Sequence, residues 1–152
     1  RGRKSRGAVV TITGSAADNQ RLVETFFNVM WNNWDDATMR DILDPAIDFR
    51  GSIGLQVNGH DGFAGYMQTI RDAFPDFHNR IDEIIVTDDR AAARLTYTGT
   101  HDGPLFDHAA TGAPIEYAGV AMFTMAGGKI TKVWVLGDRL ALLQQIGAIA
   151  VD

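Results

Sequence analysis

Cysteine is absent from the 152 residues of this chain. Its absence excludes disulfides, thiolate catalysis and zinc–thiolate sites. Long apolar runs are lacking too, because none approaches the roughly 20 residues that a membrane-spanning helix requires. The basic start is followed by only a short apolar stretch, Ala8–Val10, which cannot form the core of a signal peptide. We therefore expect a cytoplasmic protein.

Positive charge is scarce outside one short cluster. The chain has 14 Lys and Arg against 19 Asp and Glu, a net charge of −5, whereas a nucleic-acid partner usually needs a basic face. We interpret the cluster Arg1–Arg6 as a solvated tail or an added expression remnant, rather than as an arm for nucleic acid or membrane. Residues 1–15 are thus expected to be a flexible arm, and residues 16–152 one domain.

Motifs for cofactors and nucleotides are missing as well. The chain has no Gly-rich phosphate loop, no G-x-S-x-G elbow and no dinucleotide fingerprint. His101, Asp102, Asp107 and His108 lie close in sequence, but in a loop with no recognised metal motif. We expect neither a metal nor a cofactor.

Helical apolar patterns dominate the first half of the chain. From Leu22 to Met30, apolar residues recur at spacings of three and four, which predicts one buried helix face. Ser15 or Asp18 can cap this helix. The elements predicted here are a helix over 18–34, a short helix over 37–43 stopped by Pro45, a strand over 47–53, a turn over 59–62 and a helix over 63–74 ended by Pro75.

A period of two dominates the second half, which is typical of strands. Strands are predicted over 77–86, 91–101, 115–125 and 129–136, with a tight hairpin at Gly127–Gly128 and a closing helix over 140–146. Helices followed by an antiparallel meander define an α+β class. A twisted sheet of this kind curves, so a pocket is expected between its concave face and the N-terminal helices.

Four segments resemble SnoaL-like polyketide cyclases across about residues 18–148. The resemblance implies a cone-shaped α+β barrel of the nuclear-transport-factor-2-like type, with a central pocket and a fold that hosts many chemistries. The segments are GGKITKVWVLGDRLALLQQIG (127–147), YTGTHDG (97–103), ATGAPIEYAGVAMFTM (110–125) and DPAIDFRG (44–51).

The resemblance also implies a chemistry to compare with these residues. The best-known members close a ring by intramolecular aldol condensation, with an Asp on the last strand as general acid/base and a His on the preceding strand. Those two positions fall here on Val135 and Ala121. The chain thus departs from the cyclase pattern at both, and we expect Val135 and Ala121 to contact substrate as apolar groups.

His101 and Asp138 are the candidate catalytic residues. A histidine titrates near neutral pH and suits proton transfer. The alternative for His101 is a strand-end residue that holds the loop over 102–114. Asp138 is interpreted either as a pocket carboxylate or as the N-cap of the last helix.

Arg50, Tyr97 and Tyr117 are candidate substrate-binding residues. An arginine binds anionic or carbonyl oxygens, and a tyrosine donates a hydrogen bond to a carbonyl. The alternatives are a surface arginine and tyrosines of the core or of a dimer face.

Apolar residues occupy both faces of the strand that carries Met122, Phe123 and Met125. A strand apolar on both sides is normally covered on both. We therefore expect a homodimer through the sheet, as the resemblance also implies.

These residues leave two main hypotheses for function. One is a cofactor-independent enzyme, polyketide cyclase-like or isomerase/hydrolase-like, that acts on a hydrophobic carbonyl compound by general acid/base catalysis. The other is a non-catalytic small-molecule-binding protein, since Val135 and Ala121 replace the acid/base pair. A third, steroid-isomerase-like reading would use Asp48 or Glu116 as an acid.

Overall fold

The computed structural model describes residues 15–150. The flexible arm predicted for residues 1–15 and the basic cluster Arg1–Arg6 therefore lie outside the described residues, apart from Ser15. Within the described part, no helix is both long and apolar enough to cross a membrane.

The first helix begins at a capping box in which both predicted caps take part. Ser15 Oγ accepts from the backbone N–H of Asp18 at 3.1 Å, and the Asp18 carboxylate accepts from the Ser15 N–H at 3.2 Å. Helix α1 spans Ala16–Glu24 and continues as a π-helix over Thr25–Trp31. The predicted helix over 18–34 is therefore two segments, and the wider π turn directs Phe26 and Phe27 inwards together.

The boundaries of the next elements differ from the prediction. Helix α2 (Asp36–Ile42) leads directly into strand β1 (Leu43–Arg50), so Pro45 lies inside a strand and does not stop the helix. The short strand β2 (Gln56–Asn58) pairs with β1 and was not predicted.

The turn predicted over 59–62 was wrong, because helix α3 spans Gly59–Ala73 and starts there. The sequence N-G-H-D-G is typical of a turn. In the fold, however, the His60 ring is hydrogen-bonded to the Leu43 carbonyl at 2.8 Å, and Gly62 packs against Val57. These tertiary contacts hold the first turn of the helix in place.

Six strands form one curved, unclosed sheet in the order β2-β1-β6-β5-β4-β3. The predicted antiparallel meander is confirmed, and helix α4 (Arg139–Gln145) follows it. The pairing of β1 with β6 is parallel and lies outside the predicted meander. The α+β class is confirmed. The strands of the meander are β3 (His78–Val86), β4 (Arg90–Thr100), β5 (Pro114–Ala126) and β6 (Lys129–Gly137).

Strict alternation along β5 places one apolar row on the concave face, where the helices cover it. Phe123 meets Phe26 edge to face at 5.2 Å and Phe27 at 5.8 Å between ring centroids. Met125 also points inwards, whereas Met122 lies on the convex face and is 43% exposed. Aromatic contacts between the π-helix and β5 thus join the two layers.

Removing the Phe123 ring should create a cavity at this junction. We expect Phe123→Ala to lower the free energy of unfolding by about 3–5 kcal/mol, because a buried Phe loses its transfer energy and leaves a void. Urea denaturation monitored by circular dichroism would measure it. Leu140→Ala is the control, since Leu140 is 58% exposed and should change stability by only about 0.5 kcal/mol. Equal losses in the two variants would contradict this account of the core.

Candidate functional site

The candidate site is a narrow space between the helices and the concave face of the sheet, where the sequence predicted a pocket. Its walls include Trp31, Tyr66 and Ile70 from the helices, and Asn79, Tyr97 and Val135 from the sheet. The free space is about 20 Å³, which is enough for about one water molecule. The pocket is therefore present in outline but closed by its own side chains.

Aromatic rings close the pocket. Phe77 stacks on Tyr97 with 5.5 Å between ring centroids and 16° between ring planes. Trp31 meets Tyr66 edge to face at 5.9 Å and Phe77 at 6.2 Å. Because such pairs hold each other by face and edge contacts, a ligand must displace at least one ring to enter.

Three tyrosine hydroxyls lie in or beside this apolar space. Tyr117 shares a 2.9 Å hydrogen bond with Ser52 Oγ. Among residues 15–150, the buried hydroxyl of Tyr66 makes no hydrogen bond, although groups of Ser52 and Ile53 lie close enough to lower its pKa. Within residues 15–150, the Tyr97 hydroxyl meets no protein partner either. Buried polar groups are normally paired, so two free phenols mark this as a site for an added acceptor.

These phenols are donors and not bases at neutral pH. Burial raises the pKa of Tyr66 to about 12, against the opposing effect of the nearby Ile53 and Ser52 groups. Burial also raises the pKa of Tyr97 well above its usual range, and the neighbouring Tyr117 and Tyr66 raise it further. Each hydroxyl therefore keeps its proton and offers it in a hydrogen bond.

Two glycines make room for the tyrosine rings. Gly51 follows the end of β1 beside Tyr66, and Gly119 lies within β5 beside Tyr97. A Cβ on Gly51 would overlap the Tyr66 hydroxyl, and one on Gly119 would lie 2.6 Å from a Tyr97 ring carbon. Glycine inside a strand is a sequence signal of a close approach. That signal was the one available hint that these rings are tightly held.

Asn79 is a lining residue that the sequence did not single out. Its side chain is 2% exposed, and it is opposite Tyr97 in the β3–β4 register. Tyr66 and Ser52 were likewise missed as site residues. No sequence pattern distinguishes a pocket Asn from any other polar strand residue.

The candidate catalytic residues lie elsewhere. His101 is fully buried at the end of β4, where its ring is hydrogen-bonded to Thr111 Oγ1 at 2.9 Å and its backbone N–H donates to Ala113 O at 2.9 Å. It holds the loop over 101–113 and does not line the pocket. Asp138 is exposed and accepts from the Ala141 N–H at 3.0 Å as the N-cap of α4.

The remaining predicted residues divide between the two faces of the sheet. Arg50 lies on the convex side, donating to the Val135 carbonyl and stacking 5.3 Å above the Trp134 ring. Val135 lines the pocket, and Ala121 is fully buried opposite it. The structure thus brings together Tyr97 and Val135, with Tyr117 and Ala121 adjacent, but not Arg50.

A metal site would need several His, Asp or Glu side chains close together. Within residues 15–150, no three of them converge. His101 and His108 belong to the same loop, but they form no such cluster with Asp102 and Asp107.

Comparison with known proteins gives both a family and a set of similar folds. The family model for SnoaL-like polyketide cyclases matches residues 21–146. TsrD from Streptomyces laurentii superposes with a TM-score of 0.77 at 25% identity, covering 88% of this chain and 97% of that one. No curated protein matches this sequence.

Two further solved structures show the same fold. AclR from Streptomyces galilaeus, described as a candidate hydroxylase, has a TM-score of 0.78 at 26% identity and covers 91% of this chain and 86% of its own. A candidate SnoaL-like polyketide cyclase from Jannaschia sp. CCS1 has a TM-score of 0.81, with coverage of 88% and 94%. At 21% identity, the Jannaschia likeness concerns the fold alone.

Stability should depend on pH through His101. Burial lowers its pKa below the ordinary value of 6.5, and His108 lowers it further. The unfolded chain then binds the proton more readily, so stability is full above pH 6.5 and falls as the pH drops through the folded pKa. Urea midpoints measured between about pH 7.5 and about pH 5 should fall more steeply for the wild type than for His101→Gln. Parallel slopes would contradict a neutral buried His101.

Proposed function

Since this chain belongs to the SnoaL-like polyketide cyclase family, we propose that it binds a small hydrophobic carbonyl compound in the pocket between the helices and the sheet. The observation that carries this proposal is the pair of buried phenols, Tyr66 and Tyr97, that have no partner in the described chain. A carbonyl oxygen has two lone pairs and accepts from both.

Because the two phenols are buried, a hydrogen bond from them to a ligand contributes to the binding free energy. A buried donor without a partner costs roughly 1–3 kcal/mol, and a ligand acceptor removes that cost. The surrounding rings of Phe77, Trp31 and Tyr66 would cover the apolar part of the ligand. The site therefore suits one carbonyl on an otherwise apolar, preferably flat molecule.

Entry requires the pocket to open, because the free space of about 20 Å³ holds no organic ligand. The aromatic walls are the elements that must move, and their displacement subtracts from the affinity. We expect modest affinities for small probes and larger ones for ligands that replace the lost ring contacts.

Binding is favoured over acid/base turnover because, among residues 15–150, no carboxylate and no imidazole lines the pocket. His101 and Asp138, the proposed proton-transfer residues, are committed to a loop and to a helix cap. Asp48 and Glu116 also lie outside the walls, which removes support from a steroid-isomerase-like reaction.

A cyclase-like or isomerase/hydrolase-like enzyme is the second candidate, and the family match supports it. In that case the chain would act by holding a substrate and polarising its carbonyl through Tyr66 and Tyr97, as preorganised donors do. A bound ketone that is recovered unchanged after long incubation would favour the binding protein, and turnover would favour the enzyme.

Acetophenone and ethylbenzene test the proposed carbonyl contact, because they differ only in the oxygen. We expect acetophenone to bind more tightly, and Tyr66→Phe and Tyr97→Phe each to weaken it about 3- to 10-fold, the value of one neutral hydrogen bond. Ligand-detected NMR titration measures both affinities.

Ethylbenzene serves as the control for this prediction. Its affinity should be unchanged or slightly higher in both tyrosine variants, since it offers no acceptor. If the two ligands bind equally to the wild type, or if the variants weaken both alike, the proposed contact is wrong.

We also propose that the second partner of this chain is another copy of itself. Four large apolar residues are 41–55% exposed on the convex face of β5 and β6, where neighbouring strands place them side by side. They are Val120, Met122, Trp134 and Leu136. Such a patch on a sheet face is self-complementary across a two-fold axis.

Trp134→Glu should convert this dimer to monomer, because the charge would be buried at its centre. Sedimentation velocity over a range of protein concentrations measures the change in mass. Val29→Glu is the matched control, since Val29 is 38% exposed on the helical side of the molecule. A monomeric wild type would contradict the proposal.

A further inference from the structure

We infer that Asn79 is a recognition residue that selects ligands with a hydroxyl group in addition to a carbonyl. This inference rests on the proposed function, because it concerns the same pocket. It adds a hydrogen-bond acceptor to the two phenol donors, and so narrows the ligand class to hydroxy ketones.

The position of Asn79 is the first step. It lies on β3 directly opposite Tyr97 in the β3–β4 register and lines the pocket. Only 2% of its surface is exposed. Burial of a carboxamide is costly unless its groups are paired.

The orientation of its amide is the second step. Asn32 Oδ1 accepts from the Asn79 backbone N–H at 2.8 Å and from Asn79 Nδ2 at 3.1 Å. Asn32 Nδ2 in turn donates to the Asn79 carbonyl at 3.0 Å. Because Asn32 Oδ1 can only accept, the nitrogen of the Asn79 amide must face Asn32. Asn79 Oδ1 therefore points away from Asn32.

Asn79 Oδ1 is the acceptor of this side chain that has no hydrogen-bond donor. Among residues 15–150 nothing donates a hydrogen bond to Asn79 Oδ1, although every other polar group of this residue, apart from the second Nδ2 proton, is used. The unpaired groups at the pocket therefore include two phenol donors, Tyr66 and Tyr97, and an acceptor, Asn79 Oδ1. A ligand with a carbonyl and a hydroxyl matches this set, whereas a plain ketone leaves the acceptor unpaired.

A purely structural role for Asn79 would explain its contacts with Asn32, which tie β3 to the end of the π-helix. It would not involve Oδ1. The two roles are separable, because Asn32→Ala removes the tie and leaves the carboxamide of Asn79 in the chain, whereas Asn79→Leu removes the carboxamide itself.

The experiment compares acetophenone with meta- and para-hydroxyacetophenone by NMR titration of the intact chain. We expect at least one hydroxy ketone to bind the wild type about 3- to 10-fold more tightly than acetophenone. Asn79→Leu should abolish that preference, and Asn32→Ala should retain it. The corresponding methoxyacetophenones, which cannot donate, should show no preference even in the wild type.

The outcomes separate this inference from the function on which it rests. If acetophenone binds no better than ethylbenzene, the proposed carbonyl site itself is wrong. If acetophenone binds through the tyrosines but the hydroxyl adds nothing, or if its preference survives Asn79→Leu, only the role of Asn79 is overturned. Should Asn79→Leu fail to fold, the hydroxy and methoxy ligands on the wild type still decide, since equal affinities contradict the inference.

Discussion

Packing of aromatic rings between the π-helix and the concave sheet face is the contact on which the rest of this structure depends. Phe26 and Phe27 meet Phe123 edge to face, and together they join the helical layer to the sheet. The same layer continues through Trp31 to Tyr66 and Phe77. It excludes water from the interior, and it leaves almost no free space in the pocket.

Exclusion of water decides what the polar groups of this interior can do. A phenol in such a place keeps its proton, because burial disfavours the phenolate, as the raised pKa of Tyr66 and Tyr97 shows. An ionised carboxylate would need a partner there, and no carboxylate of the described residues lines the pocket. The neutral phenols of Tyr66 and Tyr97 can therefore act there as hydrogen-bond donors.

Much of the fold could be predicted from local patterns. Alternation along β4 and β5 predicted their inner faces, including Tyr97, and Gly127–Gly128 marked the hairpin between β5 and β6. The start of α3 could not be predicted, because N-G-H-D-G favours a turn until Leu43 binds the His60 ring. The parallel pairing of β1 with β6 was also missed, since register between distant strands leaves no local signal.

The sequence by itself determined the class of fold, the family resemblance and the location of the pocket. Only the tertiary structure decided which polar atoms reach the pocket. The side chain of His101, a candidate catalytic residue in the sequence, is hydrogen-bonded to the loop at Thr111. Tyr66 and Asn79 instead line the pocket. The reason is physical: residue type and spacing define a face, but partners from distant segments determine which buried polar atoms remain unpaired.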